Sequence, residues 1–154
     1  MDNALGHDCE KQEELYQFDR FTRGDALRLG LKLNENAQEY PDPVAIEITL
    51  NGLTVFRYFP EGTTADNALW LGRKRASVDL MQMSSLHFAA WLEANGETLE
   101  TRKLDPRAYA ACGGGFPILL RGTGAVGSIC VSGLPHLDDH RLIVDTLAEF
   151  LSGR

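Results

Sequence analysis

The sequence is poor in cysteine, in long apolar runs and in positive charge. Its three cysteines lie far apart in 154 residues and form no C-x-x-C pair, which argues against a disulfide framework and against a thiolate zinc site. No apolar run approaches the length that crosses a membrane. The 15 Lys and Arg against 22 Asp and Glu give a net charge of -7. That balance is opposite to what a protein that binds nucleic acid or an anionic membrane needs, so we expect neither partner.

The start of the chain does not read as a secretion signal. Residues 1–8 carry acidic charge where a signal peptide has basic charge followed by an apolar stretch. We therefore expect a cytoplasmic protein with reduced thiols. The hydrophobic content of 44% and the lack of internal repeats or linkers predict one globular domain, residues 18–154, preceded by an N-terminal arm or helix, residues 1–17.

Two segments combine a helix-start signal with an apolar stripe. A capping-box pattern from Thr22 to Asp25 starts a helix that ends before two prolines. Its stripe recurs at spacings of three and four: Ala26, Leu29, Gly30, Leu33 and Ala37. A similar signal from Thr63 to Asp66 precedes a second stripe, which we expect to face the core: Ala65, Leu69, Gly72, Ala76 and Leu80. Trp70, Lys74 and Ser77 share a different face of that helix.

A β-hairpin is predicted between these two helices. Apolar residues alternate with polar ones on both sides of Asn51-Gly52, a pair suited to the left-handed dihedrals of a type I′ turn. The turn predicts these cross-strand pairs: Leu50 with Leu53, Ile48 with Val55, and Ile46 with Arg57. Phe56 and Tyr58 then lie with Glu47 on the other face, where a helix, a ligand or another subunit would have to cover them.

The second half of the chain repeats the order of helices followed by a hairpin. Ser84 or Ser85 caps a helix that Asn95-Gly96 closes, and Asp105-Pro106 opens a short helix through Tyr109. Two strands, 116–121 and 125–132, are joined by a glycine turn, and a last helix runs from about residue 136 to residue 151. This order predicts an α+β fold with one antiparallel sheet of about five strands and helices on both of its faces.

Two glycine motifs have a functional and a structural interpretation. Residues 122–127 spell G-x-G-x-x-G, but the apolar, β-branched run that follows predicts a strand, whereas dinucleotide binding needs a helix there. We therefore interpret this motif as a hairpin turn. Gly113 to Gly115 lack the Lys-Ser/Thr ending of a P-loop. They could offer backbone amides to an anion, or simply let the chain cross from a helix into an edge strand.

Charged clusters near both helices also have alternatives. His136 and His140 are four residues apart with Asp138 and Asp139 between them, a spacing that could hold a metal ion. No other His or Cys lies at an obvious spacing for a third ligand. Acidic residues at a helix start are also explained by the helix dipole. Residues 73–75 read Arg-Lys-Arg, which is either a solvated face or an anchor for a carboxylate-bearing ligand. No G-x-S-x-G elbow occurs, so nucleophilic hydrolysis lacks support and the reaction class stays open.

Several of these motifs together resemble the haem-degrading-domain family, GlcG/HbpS-like, in its short cytosolic branch. The resemblance covers about residues 18–151, and its specific part is the Gly-Gly-x-Pro-Ile strand followed by Gly-x-x-Gly-x-x-x-Val-Ser-Gly. The residues that carry it are Trp70, Arg73-Lys74, Ser84-Ser85, Leu104 to Pro106, Tyr109, Gly113 to Ile118, Gly124 to Pro135 and Asp139-His140.

The resemblance implies a profilin-like or PAS-like sheet in a homo-oligomer, while no reaction is assigned to the short branch. It leads us to two hypotheses: a protein that binds a small carboxylate-type ligand or haem, or a non-enzymatic protein-interaction scaffold. For the first hypothesis we expect these ligand-binding residues: Arg73, Lys74, Gly114, Gly115, Ser132, Asp139 and His140. Haem binding is expected to be weak or absent, because the two nearby histidines adjoin aspartates that would repel haem propionates.

Overall fold

The computed structural model describes residues 3–153 as one α+β domain. Met1, Asp2 and Arg154, at the two ends of the predicted arm and domain, lie outside the described residues. The elements in chain order are α1 Ala4–Leu15, α2 Arg23–Ala37, β1 Ala45–Leu50, β2 Leu53–Tyr58, α3 Ala65–Met81, α4 Ser85–Ala94, β3 Gly115–Leu120, β4 Gly124–Ser132 and α5 His136–Ser152. No helix in that range is long and apolar enough to span a membrane.

The sheet has four antiparallel strands in the order β2-β1-β4-β3. The antiparallel class is confirmed, but the expected count of about five is wrong. The segment beside β3 contributes only an isolated bridge between Phe18 and Leu120, which is too short to form a fifth strand. The two central strands pair from Ala45 opposite Ser132 to Leu50 opposite Gly127.

Helices cover both faces of the sheet. On one face α2 and α5 pack against the main apolar core, whose sheet residues include Ile46, Ile48, Phe116, Ile118, Ile129 and Val131. On the other face α3 packs against β4, β3 and β1. The helix α4 contacts β3, and α1 packs against α4. The second face is more polar, with Glu47, Ser128 and Ser132 buried beneath α3 and around it.

The first hairpin has the predicted turn but not the predicted register. Asn51 and Gly52 have φ values of 52° and 81°, and Leu50 pairs with Leu53 as expected. Beyond Thr49 and Thr54 a β-bulge makes Val55 an extra residue, so Ile48 faces Phe56, Glu47 faces Arg57 and Ile46 faces Tyr58. The predicted pairs of Ile48 with Val55 and of Ile46 with Arg57 are therefore wrong.

The bulge moves the aromatics to the apolar side of the sheet. Phe56 lies over Gly30 of α2, where an added Cβ would come within 2.5 Å of the ring. Arg57 lies on the opposite face, with its Nε 2.9 Å from Oε2 of Glu47, which Arg75 of α3 also contacts. The expectation that Phe56 and Tyr58 share a face with Glu47 is wrong for the same reason.

The core-facing side of α3 also differs from the prediction. Its buried residues are Leu71, Lys74, Ser77 and Val78, whereas Leu69 is 58% exposed and Leu80 is 49% exposed. Polar partners outside the helix hold the buried side in place: the Ser77 hydroxyl donates to the carbonyl of Ala110 at 2.7 Å and accepts from its N–H at 3.0 Å. Apolar periodicity alone therefore selected the wrong side of this helix.

The remaining helix predictions hold except two: the capping box expected from Thr63 to Asp66 lies one residue later, between Thr64 and Asn67, and one predicted helix is shorter than expected. Thr22 and Thr64 cap α2 and α3 with reciprocal capping boxes, and the Ser84 hydroxyl accepts from the N–H of His87 at the start of α4. The short helix expected from Asp105 to Tyr109 is a single turn. The carbonyl of Asp105 accepts from Ala108 and Tyr109, and its carboxylate accepts from the N–H of Arg107.

Candidate functional site

A cavity of about 290 Å³ lies where the start of α3, the end of β4 and the start of α5 meet. The antiparallel pairing of β4 with its neighbours brings the Val-Ser-Gly end of that strand to this place. Its lining is polar at the base and partly aromatic at the side. The lining residues are Asp66, Asn67, Trp70, Lys74, Cys112, Ser132, Gly133, Leu134, His136 and Asp139.

Lys74 and Asp139 form the base of the cavity. The ammonium group of Lys74 donates to the carbonyl of Val131 at 2.8 Å and to Oδ2 of Asp139 at 3.1 Å. Both side chains are nearly inaccessible to solvent. A buried lysine needs such partners because burial of an unpaired charge costs several kcal/mol. The pair joins α3 to α5 across 65 residues of sequence.

Asp139 is held in place by backbone groups as well as by Lys74. Its Oδ1 accepts from the N–H of Leu134 at 3.1 Å, in the loop that leads into α5. Burial raises the pKa of Asp139 to about 6, against the opposite effect of Lys74 and of the N–H groups of Leu134 and Gly133. The carboxyl group can therefore gain or lose a proton close to neutral pH, and its position in the first turn of α5 also favours its negative charge.

The glycine loop before β3 packs against this pair and not into the cavity. Gly114 has φ +120°, and a Cβ there would lie 2.5 Å from Nζ of Lys74 and 2.8 Å from the carbonyl of Val131. The N–H of Gly113 donates to Nδ1 of His136, and the N–H of Gly115 donates to the hydroxyl of Ser85. Because these amides already have partners, the loop serves close packing of Lys74 more than anion binding.

Ser132 and Asn67 form the wall between β4 and α3. The amide group of Asn67 donates to the carbonyl of Ser132 at 3.3 Å and to its hydroxyl oxygen at 3.2 Å. The side-chain oxygen of Asn67 accepts from the N–H of Thr64, completing the capping box of α3. The helix cap thus fixes the position of a cavity residue.

Trp70, His136 and Cys112 surround the opening. His136 accepts through Nδ1 from Gly113, so its neutral ring carries the proton on Nε2. Burial raises the pKa of the Cys112 thiol, which keeps it protonated and weakens it as a nucleophile. Trp70 is partly exposed, and the guanidinium group of Arg73 stacks on its outer face at 4.7 Å from the ring centroid.

Two expected site residues lie away from the cavity. Arg73 lies outside it, stacked on Trp70 and donating to the carbonyl of Arg107 at 3.2 Å. His140 points from α5 toward α1, with Nε2 2.7 Å from Oε1 of Gln12. Burial lowers the pKa of His140 to about 4, and the nearby His136 adds to this, so the ring is neutral at pH 7.

Of the seven expected ligand-binding residues, Lys74, Ser132 and Asp139 line the cavity. Gly114 lies beneath Lys74, and Gly115 contacts Ser85 and Val78 further inside. Asn67, Asp66 and Gly133 are lining residues that the sequence did not single out. The spacing of Asn67 three residues after Thr64 was a usable signal, because a capping residue is fixed at the helix start.

The two motifs with other interpretations are not arranged as a dinucleotide site or as a metal site in the described part of the chain. Gly124 begins β4, so residues 122–127 lead directly into a strand and not into a helix. This agrees with their interpretation as a hairpin turn. His136 and His140 have different partners and do not converge. No group of three or more His, Cys, Asp or Glu within residues 3–153 is arranged to hold a metal ion.

Comparison with known proteins gives a consistent family. A family model described as haem degrading protein HbpS-like matches residues 21–148. A UPF0303 protein of Yersinia enterocolitica is 41% identical over 98% of this chain and 90% of its own length. A UPF0303 protein of Streptomyces coelicolor is 43% identical over 94% of this chain and 92% of its own length.

Solved structures share the fold. The crystal structure of Ybr137w protein has a TM-score of 0.89 and 28% identity, covering 99% of this chain and 90% of that one. The structure titled PduOC:Heme Complex has a TM-score of 0.68 and 19% identity, covering 83% of this chain and 93% of that one. At that identity the second likeness concerns the fold alone.

Proposed function

This chain belongs to the HbpS-like family of haem-degrading proteins, and we propose that it is a homo-oligomeric binding protein whose cavity takes a small carboxylate-type ligand. The observation that carries the proposal is the base of the cavity. Lys74 has three N–H donors, and two of them have partners among the residues that the structure describes. The third has no partner among the residues that the structure describes, and because Lys74 lines the cavity, the proposal assigns this donor to the carboxylate of the ligand.

Other groups around Lys74 favour the same kind of ligand. The Ser132 hydroxyl accepts from Asn67 and keeps its own O–H for donation. The Nε2–H of His136 is a further donor at the opening. Several donors and one aromatic wall suit a compact molecule with a carboxylate or carbonyl oxygen and a short apolar part.

The size of the cavity supports a small metabolite. A volume of about 290 Å³ is near the lower limit of ligand pockets in proteins, roughly 300 to 1,000 Å³. Asp66 and Asp139 place negative charge at the cavity, which disfavours a ligand of high negative charge. A single carboxylate next to Lys74 is therefore the best match.

Haem is the second candidate, on the strength of the family and of the PduOC:Heme Complex neighbour. The cavity offers His136 as the one histidine among its lining residues, whereas His140 is buried and bonded to Gln12. This arrangement ranks haem below a small carboxylate.

The proposal also covers organisation and location. Residues 18–154 would form the ligand-binding domain, and residues 1–17 would form an arm. The described part of this arm contains the helix α1, whose Glu13 contacts His87 of α4 at 3.0 Å. The cytoplasm is the proposed location, and it suits the free thiols of Cys9, Cys112 and Cys130.

The test uses Trp70 as its reporter. The chain has two tryptophans, so Trp91→Phe leaves Trp70 as the fluorophore beside the cavity. We expect saturable fluorescence changes with at least one of lactate and pyruvate, and none with the corresponding amides. The change should weaken at least tenfold in Ser132→Ala or in Asn67→Ala, about 1.4 kcal/mol or more of binding energy.

Native mass spectrometry of freshly purified protein gives the second readout, because it reports the number of subunits and any retained ligand together. If the carboxylates and their amides act alike, or if no probe changes the Trp70 signal, the carboxylate proposal is wrong. A control variant, Leu31→Ala on the exposed side of α2, should bind as the parent does.

A further inference from the structure

The charges that line the cavity do not balance. Two carboxyl groups, those of Asp66 and Asp139, face one ammonium group, that of Lys74. Because the pKa of Asp139 is about 6, this group is mostly ionised at pH 7, and the lining then carries more negative than positive charge. A ligand with a carboxylate alone would add to the excess. A ligand that also carries an ammonium group would add no net charge.

Asp66 is the carboxylate of the lining that no other contact explains. Asp139 accepts from Lys74 and from the N–H of Leu134. The side chain of Asp66 is exposed and has no hydrogen bond or ion pair with any residue between 3 and 153. Its place in the first turn of α3 suits the helix dipole, but the dipole does not require a carboxylate beside a cavity. A cation in the cavity would give Asp66 a partner.

Asp66, Trp70 and Lys74 follow one another along the side of α3 that lines the cavity. They are four residues apart, close to one helical turn, so an acid, an aromatic ring and a base lie in one row. The rise from Asp66 to Lys74 is about 12 Å, and the lysine side chain shortens this separation because helical side chains lean toward the N-terminus. A ligand that meets both charges therefore needs its own two charges at opposite ends of a short chain.

Trp70 supplies the surface between these two charges. The guanidinium group of Arg73 stacks on its indole ring at 4.7 Å from the centroid, and Arg73 is not a lining residue. The stacked face is therefore the one outside the cavity, and the other face is left to the ligand. An indole face packs against methylene groups and attracts an ammonium group. Next to Asp66, it favours a chain that ends in a cation.

We propose that the ligand of this cavity is a small zwitterionic amino acid with its ammonium and carboxylate groups at the two ends of a short chain, as in β-alanine or γ-aminobutyrate. The carboxylate accepts from Nζ of Lys74 and from the Ser132 hydroxyl, and the ammonium group binds Asp66 beside Trp70. This inference rests on the proposed function, in which Lys74 binds a carboxylate. It adds the class of ligand and a role for Asp66.

The test is calorimetric titration of the full chain with matched sets of small molecules. β-Alanine is compared with propionate and ethylamine, and γ-aminobutyrate with butyrate and propylamine, so that each control lacks one of the two charges. At least one amino acid should bind about fivefold or more tighter than both of its controls. In Asp66→Asn that amino acid should bind within about twofold of its carboxylate control. The carboxylate itself should bind no more weakly than in the parent, because a repelling charge is removed.

A matched control separates Asp66 from a general effect of charge at a helix start. Asp138→Asn removes the same charge from the first turn of α5, at a residue outside the cavity lining, and it should keep the preference for the amino acid. Far-UV circular dichroism should be unchanged in both variants. An equal loss of preference in Asp138→Asn would mean that distant charge, not contact with Asp66, is responsible, and the inference would be wrong.

The remaining outcomes separate this inference from the proposal on which it rests. If propionate, butyrate, lactate or pyruvate binds and neither amino acid binds more tightly, the cavity takes simple carboxylates, so the proposed function stands and this inference is wrong. If the amines bind as tightly as the amino acids, the carboxylate is not recognised and both are wrong. No binding by any of these molecules also contradicts both.

Discussion

Nζ of Lys74 lies 3.1 Å from Oδ2 of Asp139, and the two side chains are only 4% and 3% exposed. An ion pair this deeply buried carries a desolvation cost for both charges, which its mutual attraction and its backbone hydrogen bonds must offset. The carbonyl of Val131 and the N–H of Leu134 supply those bonds. Either partner alone would be a buried charge without an opposite charge beside it.

Removal of the lysine should therefore destabilise the fold strongly. For Lys74→Met we expect a loss of about 3 to 5 kcal/mol in the free energy of unfolding, measured by urea titration. The double variant Lys74→Met with Asp139→Leu should recover part of it, because no charge is left buried. Lys32→Met is the control, since the contact of Lys32 with Glu149 is on the surface, and it should change little. Equal losses in the single and double variants would show that packing matters here more than charge.

The stability from His140 should depend on pH in a defined direction. Its pKa falls from 6.5 to about 4 on folding because of burial, so the unfolded chain takes up this proton first as pH decreases. The contribution is complete above pH 6.5 and is lost as pH falls toward 4, on the order of 3 kcal/mol in all.

Asp139 should act in the opposite direction over an overlapping range. Its pKa rises from 3.8 to about 6 on folding, so its contribution is complete below pH 3.8 and is lost as pH rises through 6. Urea titrations between pH 4 and 6.5 should show a steeper gain of stability with pH in Asp139→Asn than in the parent. In His140→Gln the slope should be lower than in the parent, and parallel curves for all three proteins would contradict these shifts.

Gly114→Ala should destabilise the protein more than a similar change at an open turn. Gly114 combines φ +120° with a Cβ position 2.5 Å from Nζ of Lys74, and we expect a loss of about 3 kcal/mol or more. Gly96 has φ +67° and nothing within 4 Å, so Gly96→Ala should lose about 1 to 2 kcal/mol. The comparison uses thermal or urea unfolding, and similar losses at both positions would mean that backbone strain, not contact with Lys74, is decisive.

Haem titration followed in the Soret region should give no saturable transition in the submicromolar range. The reason is the acidic surroundings of His136 together with the buried, bonded state of His140. His140→Ala should therefore leave the titration unchanged. Tight binding that this substitution abolishes would promote haem to the first candidate.

Local signals predicted most of the fold. Thr22 and Ser84 each begin a helix as their side chains and spacing indicate, and α3 begins at Thr64, within one residue of the predicted signal. Asn51-Gly52 forms the predicted turn. The register beyond Thr54 was not predictable, since a bulge depends on packing across the sheet and leaves no fixed pattern in a short strand.

The candidate site was predictable only in part, because its key contact joins distant residues. Lys74 and Asp139 are 65 positions apart, and a lysine on a helix is normally assigned to solvent. The resemblance to a family placed both residues in the predicted site, along with Ser132, and the structure brings all three to one cavity. The resemblance also suggested His140. Its contact with Gln12 of α1 could not be predicted from the sequence pattern near α5.

The bulge at Val55 also determines where this chain can change in length. Because Val55 has no partner of its own on β1, a deletion at that position leaves Leu53 and Thr54 paired as before and keeps Phe56 opposite Ile48. A deletion in the other strand, at Glu47 or Ile48, would turn every following side chain of β1 to the other face and put Thr49 on the side of the apolar core. Single-residue deletions in this hairpin should therefore be tolerated at the bulge in β2 and be destabilising in β1.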